Sequence, residues 1–212
     1  MQKASAIILA GGKNSRIGRN KALIRLPTGE TILQSIINIL QRIFPEIILV
    51  TNQKESYLSY ESDRKLNLYV VEDLIKECGP LGGIFTGLCY SVSKYNFVVA
   101  CDMPFIQPDL IRLLLEKSRT HDVVIPEVDG EMEPLFALYS KGCIPIMWEH
   151  LQKQNYKIRE VLSKLQVKKI GEEEIDRVDP EHLSFFNINT EEDLRRAESL
   201  KLKKSGIWSV RL

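Results

Sequence analysis

The chain has 212 residues, of which 44% are hydrophobic and 27% are charged, an ordinary composition for a globular protein. Lysine and arginine number 29 against 28 aspartate and glutamate residues, and this net charge of +1 argues against a protein that coats nucleic acid. No apolar run reaches the length of a membrane-spanning helix, and the first residues lack the cleavage region of a signal peptide. We therefore expect a cytoplasmic protein that binds neither membranes nor nucleic acid.

The cysteines and histidines give no metal-binding pattern. The four cysteines, Cys78, Cys89, Cys101 and Cys143, form no C-x-x-C pair, and the three histidines are scattered singly. In a reducing compartment these thiols are most simply core residues.

In the first half of the chain, short apolar runs alternate with helical patterns. The predicted strands are 5–10, 46–51, 68–71, 96–101 and 122–126. The predicted helices are 31–44, which begins with a capping pattern at Thr31 and Gln34, 81–92 and 108–118. Strands of continuous apolar character that alternate with helices indicate a parallel sheet covered on both faces.

The pattern changes after residue 126. The further predicted strands are 134–140, 167–170 and 183–186, and the further helices are 143–152, 158–165 and 190–204. No repeat or linker-like stretch divides the chain, so we expect one domain over 1–204 and a C-terminal tail over 205–212. The predicted fold class is α/β, a single three-layer α/β/α domain with a mostly parallel, Rossmann-like sheet.

The loop after the first strand carries the most specific pattern. Its sequence is Leu9-Ala10-Gly11-Gly12-Lys13-Asn14-Ser15-Arg16-Ile17-Gly18-Arg19-Asn20-Lys21. Gly11 and Gly12 allow the backbone to approach a ligand closely, and successive N–H groups in such a turn bind anions. Arg16 and Lys21 add positive charge, so the loop predicts a triphosphate site, with a basic surface loop as the alternative. It is neither a Walker A loop nor a G-x-G-x-x-G loop.

Asp102 ends the strand predicted over 96–101. A carboxylate at the carboxyl edge of a parallel sheet faces the crevice in which ligands bind. Mg²⁺ prefers one or two carboxylates together with phosphate oxygens, so Asp102 is a candidate Mg²⁺ ligand beside a triphosphate. The alternative is a helix cap or a turn residue.

Three further segments supply candidate residues. Asp73 follows the third strand, and the glycines of Gly79-Pro80-Leu81-Gly82-Gly83 permit a backbone to approach a flat base, although a loop without function fits as well. Asn52 closes the second strand and is uninformative alone. Asn189 precedes the last helix, where its amide oxygen completes a metal shell or it serves as a turn residue.

These motifs together resemble those of a known family. The L-A-G-G loop with Arg16, Gly18 and Lys21 resembles the signature of GT-A-like nucleotidyltransferases. Four further segments narrow the resemblance to molybdenum cofactor guanylyltransferases: Gly79-Pro80-Leu81-Gly82-Gly83-Ile84, Cys101-Asp102-Met103-Pro104-Phe105, Glu133-Pro134-Leu135-Phe136-Ala137-Leu138-Tyr139 and Asn187-Ile188-Asn189-Thr190. The matches run in the family's order from Leu9 to about Leu194. Ile17 stands where Met is usual, and Gly82 where Ala is common.

The resemblance implies a GT-A-like nucleotidyltransferase fold and a reaction. GMP passes from GTP to the molybdenum–molybdopterin cofactor, with Mg²⁺ as cofactor and pyrophosphate as the second product. The implied nucleotide contacts are Leu9, Ala10 and Gly11 through their backbone, Lys21 at the phosphates, Asn52 and Asp73 at the guanosine, and Asp102. Arg16 faces the phosphates, Asp102 binds Mg²⁺, and Asn189 matches a metal-ligand position of related sugar nucleotidyltransferases.

Gly12, Gly79, Pro80 and Leu81 complete the candidate nucleotide site, and Arg16, Lys21 and Asp102 form the candidate catalytic set. The acceptor phosphate is already anionic at neutral pH, so the reaction needs no general base. Other cofactor-biosynthesis proteins and apo-molybdoenzymes are the further partners implied.

Several alternatives stay open on the sequence. One is another nucleotidyltransferase of this fold, which transfers a cytidylyl group to the pterin or uses a phospho-sugar or phospho-lactate. Others are a non-catalytic nucleotide sensor and a pterin carrier, although a sensor has no need of both Lys21 and Asp102. The L-A-G-G loop favours guanine by resemblance only.

Overall fold

A computed structural model describes the chain over residues 4–11, 20–26, 28–61 and 67–204. The strands are β1 (Ala4–Leu9), β2 (Ile47–Thr51), β3 (Leu68–Glu72), β4 (Tyr95–Ala100), β5 (Val123–Val128), β6 (Glu131–Met132), β7 (Phe136–Ser140) and β8 (Val167–Ile170). The α-helices are α1 (Ile32–Leu40), α2 (Leu58–Glu61), α3 (Gly79–Tyr90), α4 (Pro108–Glu116), α5 (Ile144–Gln152), α6 (Ile158–Leu162), α7 (Glu172–Asp176) and α8 (Glu191–Lys204). Short 3-10 helices cover Lys21–Leu23, Lys54–Tyr57, Lys141–Cys143 and Leu183–Phe185.

The strands form one sheet in the order β3-β2-β1-β4-β7-β5-β6, and β8 pairs with β5. Strands β1 to β4 are parallel to one another, whereas β7 runs antiparallel between β4 and β5. The start of β7 therefore lies at the same edge of the sheet as the carboxyl ends of β1, β2, β3, β4 and β5. The connections that follow β1, β2, β3 and β4 therefore begin at this edge. The connection that precedes β7 ends at the same edge.

Helices cover both faces of the sheet because the central strands are apolar on both sides. On one face, Ala6 and Ile8 of β1 pack in the same cluster as the buried faces of α1 and α4. On the other face, Ile7 and Leu9 pack with α3 and α5. The predicted three-layer α/β/α class with a mostly parallel sheet is confirmed, whereas the boundary between a domain over 1–204 and a tail over 205–212 stays a prediction.

Most predicted elements are found within a few residues of their predicted bounds. Thr31 caps α1 as expected, since its hydroxyl accepts the Gln34 N–H at 3.0 Å. The helix ends at Leu40, four residues before the predicted end, and continues as a turn. The α6 helix likewise ends at Leu162 rather than at 165.

The strand predicted over 183–186 is wrong, because Leu183–Phe185 is a 3-10 helix. The buried Asp179 carboxylate accepts the backbone N–H groups of Leu183 and Ser184 at 3.1 and 2.8 Å. These local bonds take the donors that a strand would offer to a neighbour. The apolar pattern of residues 183–186 does not predict these hydrogen bonds to a carboxylate outside the run.

All four cysteines are free, but they are not all core residues. Cys78 and Cys143 are buried as predicted, and Cys101 is intermediate in exposure. The prediction is wrong for Cys89, which is exposed in the last turn of α3.

Within residues 4–11, 20–26, 28–61 and 67–204, no helix is both long enough and apolar enough to cross a membrane. The cellular location of the protein stays a prediction from the sequence.

Candidate active site

The candidate residues gather at the carboxyl edge of the parallel strands in two groups. Lys21, Asp102 and Asn189 form one group, which we call the cation group. Gly11, Asn52 and Asp73 form the other, which we call the carboxylate–amide group. Their placement follows from the topology, because Gly11, Asn52, Asp73 and Asp102 come just after β1, β2, β3 and β4.

The cation group brings one ammonium between two oxygen atoms. Lys21 Nζ lies 3.4 Å from Asp102 Oδ2 and 2.7 Å from Asn189 Oδ1. The side chains of Lys21 and Asp102 are 16% and 21% exposed, so they are shielded but open to a ligand. Two oxygens that converge on one positive charge form a site suited to cations and, beside the ammonium, to phosphate.

Asn189 is held beside Asp102 by backbone contacts. The Ile188 N–H donates to the Asp102 carbonyl at 2.9 Å, which joins the segment before α8 to the end of β4. The Asp193 carboxylate accepts the N–H groups of Asn189 and Thr190, and the Thr190 hydroxyl accepts the Asp193 N–H in return. These bonds lower the pKa of Asp193, with the Asn189 backbone as the main cause. The capped start of α8 therefore fixes the position of the Asn189 amide.

Lys21 is positioned by a buried tyrosine, Tyr57, which belongs to none of the sequence motifs. The Tyr57 hydroxyl exchanges hydrogen bonds with the Asn20 side-chain amide, at 2.9 and 3.0 Å, and Tyr57 is fully buried. Burial raises the pKa of Tyr57 to about 12, so its hydroxyl stays protonated. Asn20 immediately precedes the 3-10 helix of Lys21, so this pair fixes the start of that helix. Nothing in the sequence pattern signalled the pairing.

Cys101 precedes Asp102 but is not available as a nucleophile. Burial, with the neighbouring Asp102 charge, raises the pKa of its thiol to about 12, although Lys21 acts in the opposite direction. A thiol with so high a pKa remains neutral at physiological pH. The cation group therefore offers charges and oxygen ligands rather than a covalent nucleophile.

The carboxylate–amide group contains a carboxylate of which one oxygen has no partner among the described residues. Asn52 Nδ2 donates to Asp73 Oδ2 at 2.8 Å. Asp73 Oδ1 is buried and has no hydrogen-bond partner among the described residues. Burial raises the pKa of Asp73, and the Asn52 bond opposes the rise only in part. A desolvated acceptor of this kind is stabilised by a ligand that brings N–H donors.

Gly11 lies against this carboxylate–amide pair. A Cβ at Gly11 would stand 3.6 Å from Asp73 Oδ2 and 3.7 Å from Asn52 Nδ2. The missing side chain therefore leaves room for a ligand to approach both groups. Gly83 of α3 is also close to Asp73, since a Cβ there would lie 3.7 Å from Asp73 Oδ1.

The start of α3 completes the edge. Gly79 has a φ of +59°, which favours glycine, and no side chain caps the helix at Cys78. Gly79 and Pro80 are exposed, whereas Leu81 is fully buried in the apolar cluster beneath the helix. The exposed part of the predicted base-binding segment is therefore Gly79-Pro80, and contact between Leu81 and a nucleotide stays a prediction.

The remaining predicted loop residues differ in their placement. The Ala10 N–H donates to Val50, its carbonyl accepts the Thr51 hydroxyl, and the Leu9 carbonyl accepts the Cys101 N–H. These bonds tie the end of β1 to its neighbours, and backbone contact of Leu9 and Ala10 with a nucleotide stays a prediction. Gly12 and Arg16 lie outside the described residues.

The oxygen donors of the cation group suit a hard divalent cation. Among the described residues, no cluster of three or more His, Cys, Asp or Glu side chains could hold a metal ion. The Asp102 carboxylate and the Asn189 amide nevertheless both reach one cation, the Lys21 ammonium. One carboxylate with a neutral oxygen ligand fits Mg²⁺, which takes its other ligands from phosphates and water.

Known proteins are similar to this chain over most of its length. The family described as MobA-like NTP transferase domain matches residues 6–170. A probable molybdenum cofactor guanylyltransferase of Pelotomaculum thermopropionicum is 38% identical over 212 residues, 99% of this chain and 100% of the relative. Another from Natranaerobius thermophilus is 37% identical over 197 residues, 91% of this chain and 94% of the relative. The crystal structure of molybdopterin-guanine dinucleotide biosynthesis protein A from Archaeoglobus fulgidus superposes with a TM-score of 0.80 at 29% identity, covering 94% of this chain and 99% of that one.

Proposed function

The chain belongs to the molybdenum cofactor guanylyltransferases, which carry the MobA-like NTP transferase domain, and on this premise we propose that it transfers GMP from GTP to the molybdopterin cofactor. The products are the guanine dinucleotide form of the cofactor and pyrophosphate. The observation that carries the proposal is the cation group, in which Lys21, Asp102 and Asn189 meet from three distant parts of the chain.

In this reaction an oxygen of the acceptor's terminal phosphate attacks the α-phosphorus of GTP. The new P–O bond forms as the bond to the β-phosphate oxygen breaks, and the electron pair leaves with pyrophosphate. The attacking phosphate is already anionic, so no residue has to remove a proton. The neutral Cys101 thiol agrees with a transfer that forms no covalent enzyme intermediate.

Lys21 neutralises charge where two polyanions meet. Its ammonium contacts Asp102 and Asn189, and with GTP bound we expect it to turn to the phosphates and leave the two oxygens to a metal ion. Asp102 and Asn189 would hold Mg²⁺. When bound, Mg²⁺ screens the repulsion between the two phosphates and stabilises the departing pyrophosphate.

The carboxylate–amide group supports guanine as the base. Guanine presents adjacent N1–H and 2-amino donors, and a carboxylate accepts both. Cytosine presents acceptors at the equivalent positions of its pairing edge, and these repel a carboxylate. We therefore propose that Asp73, with its buried free oxygen and its bond to Asn52, reads the base. Gly11 and Gly79-Pro80 provide close backbone approach to the nucleotide. Interaction with other cofactor-biosynthesis proteins and apo-molybdoenzymes stays a prediction.

Transfer of labelled GTP to molybdopterin tests the function. With GTP labelled at the α-phosphate we expect label in the pterin dinucleotide, and with γ-labelled GTP we expect it in pyrophosphate. The variant D102A loses a charged ligand without losing the backbone bond from Ile188, so we expect its turnover to fall ~10²–10³-fold or more with an unchanged melting temperature.

The control variant is D109A, which removes a carboxylate of an exposed ion pair with Arg112 on α4. We expect this control to retain wild-type turnover. Full turnover in D102A contradicts the site, and absence of transfer by the folded wild-type protein contradicts the reaction.

A further inference from the structure

Glu133 belongs to a motif that the nucleotide site leaves unused. It lies in the connection from β6 to β7, where its N–H donates to the Pro126 carbonyl at 3.0 Å. Two residues later the Leu135 carbonyl accepts the Ala100 N–H at 3.1 Å, close to the end of β4. Glu133 thus stands at the same sheet edge as Asp102, displaced across the sheet by one to two strand spacings, or roughly 5–10 Å.

Neighbouring glutamates have partners that explain them. Glu127 pairs with Lys169 at 2.5 Å, Glu131 pairs with Arg159, and Glu172 accepts the Asp129 N–H at 2.6 Å. These contacts tie the β5–β6 hairpin to β8, α6 and α7. Each of these glutamates therefore has a charged or backbone partner in the fold, although Glu127 Oε2 is a buried oxygen that meets Lys169 as an ion pair without a hydrogen bond from the described residues.

Glu133 differs from these glutamates. It is half-buried, and burial alone raises the pKa of its carboxyl, without any hydrogen bond or charge from the described residues acting against the rise. A carboxylate that is partly removed from water without a partner costs free energy. A ligand that brings N–H donors to this position would recover that cost.

We propose that Glu133 recognises the pterin ring of the acceptor, by pairing its carboxylate with the adjacent N3–H and 2-amino donors of the ring. This inference rests on the proposed function, because it takes molybdopterin as the acceptor. The chemistry is that of a carboxylate with two parallel N–H donors, and hydrogen bonds to an ionised acceptor are roughly twice as strong as those between neutral groups.

The location of Glu133 suits the shape of this acceptor. The terminal phosphate of molybdopterin is separated from the pterin by a methylene group and a pyran ring, so the phosphate and the pterin are recognised at separate points. Asp73 and Glu133 stand on opposite sides of the cation group along the sheet edge, beyond β3 and before β7. Guanine and pterin share the same aminopyrimidinone edge. The two partly buried carboxylates on opposite sides of the cation group therefore match the two heterocycles at the ends of the product, with Asp73 at the guanine and Glu133 at the pterin.

The test uses a fluorescent aromatic pterin that carries a phosphate on its side chain, together with the matching lumazine phosphate. Lumazine has a carbonyl where pterin has the 2-amino group, so a carboxylate repels it. We expect the wild-type protein to prefer the pterin, and E133Q to bind it roughly 10–100-fold more weakly and to lose the preference. The affinity for GTP should not change in E133Q.

The matched control is E131Q, two residues away in an exposed ion pair. E131Q should keep both the affinity for the pterin and the preference over lumazine. A second variant, E133A, should lose both as E133Q does, which separates the loss of the carboxylate from any effect of the Gln side chain on the loop. A wild-type preference that survives in both folded Glu133 variants overturns the assignment of Glu133 alone. A wild-type protein that binds GTP but neither pterin overturns this inference together with the proposed acceptor.

Discussion

At the scale of single residues, the two aspartates of the site differ in their surroundings and are therefore suited to different ligands. Asp102 faces a lysine and an amide, and it is open to a ligand. Asp73 has one oxygen on Asn52 and the other buried without a partner among the described residues. The first is therefore suited to a cation and phosphates, and the second to N–H donors of a base.

The raised pKa of Asp73 gives a pH-dependent affinity for GTP. The carboxylate accepts both guanine donors only when ionised, so binding is complete above its pKa and weakens as the pH falls through it. Because burial raises this pKa above the ordinary aspartate value of 3.8, we expect the loss of affinity to begin at a higher pH than for an ordinary aspartate.

Calorimetric titration with GTP across pH measures this effect. The variant D73N should bind GTP more weakly and show a flatter pH profile, whereas D109N, on the exposed end of α4, should retain the wild-type profile. An unchanged pH profile in D73N excludes Asp73 as the titrating group.

The sequence identified Lys21, Asp102 and Asn189 as separate candidates but not their contact. Lys21 and Asn189 are 168 positions apart, and their 2.7 Å hydrogen bond depends on how α8 returns to β4. Patterns of glycine and charged residues indicate a binding function for one segment of the chain. The contact between Lys21 and Asn189 joins two distant segments, so it is visible only in the tertiary structure.

At the scale of elements, the segment between β2 and β3 holds Asn20, the residue before Lys21. Tyr57 closes the 3-10 helix of that segment and exchanges two hydrogen bonds with Asn20. Because the next residue is Lys21, an element remote from the nucleotide loop in sequence sets the position of its lysine.

Removing the Tyr57 hydroxyl should therefore weaken GTP handling. In Y57F the half-buried Asn20 amide loses the Tyr57 hydroxyl as a partner, and we expect a cost of about 1 kcal/mol in the free energy of unfolding. We also expect a raised KM for GTP, since Lys21 is less well held, which steady-state kinetics and denaturant unfolding measure together.

The neighbouring variant Y60F is the control. Tyr60 bonds the Thr31 hydroxyl at 2.8 Å, so this variant also loses a tyrosine hydrogen bond but none that leads to Lys21. Equal KM values for GTP in Y57F, Y60F and the wild type contradict the positioning role.

Elements were predictable where their apolar pattern was long and continuous. β1 to β5 and α3 to α5 follow such runs, and they lie within a few residues of their predictions. β6 and α7 have two and five residues, too few for a periodic signal. The strand predicted over 183–186 is absent because the Asp179 carboxylate accepts the backbone N–H groups of Leu183 and Ser184.

At the scale of the whole molecule, the three layers hold the site through close contact between α3 and the central strand. A Cβ at Gly87 would stand 2.5 Å from Ile7 Cγ2, in a fully buried part of the core. The absence of a side chain there lets α3 lie close to β1, which keeps Gly79 and Gly83 beside the end of the nucleotide-binding strand.

The variant G87A should therefore destabilise the whole fold. Overpacking costs about 1–3 kcal/mol, and the better helix propensity of alanine returns about 1 kcal/mol, which leaves a net loss of about 0–2 kcal/mol. We expect the upper end of this range, because the added Cβ would stand only 2.5 Å from Ile7 Cγ2. Urea unfolding measures it. G171A, where a Cβ meets nothing within 4 Å, should change the stability by less than about 1 kcal/mol. A wild-type stability in G87A would show that α3 packs less closely than described.

A competition among the four nucleotides tests both guanylyl transfer at the cation group and recognition of the base by Asp73. The protein is supplied with molybdopterin, Mg²⁺ and equal concentrations of GTP, CTP, ATP and UTP, and the dinucleotide products are identified by mass. We predict that the guanine dinucleotide dominates and that D73N reduces this preference. A product mixture dominated by the cytosine dinucleotide would contradict guanylyl transfer, and one that D73N leaves unchanged would contradict the role of Asp73.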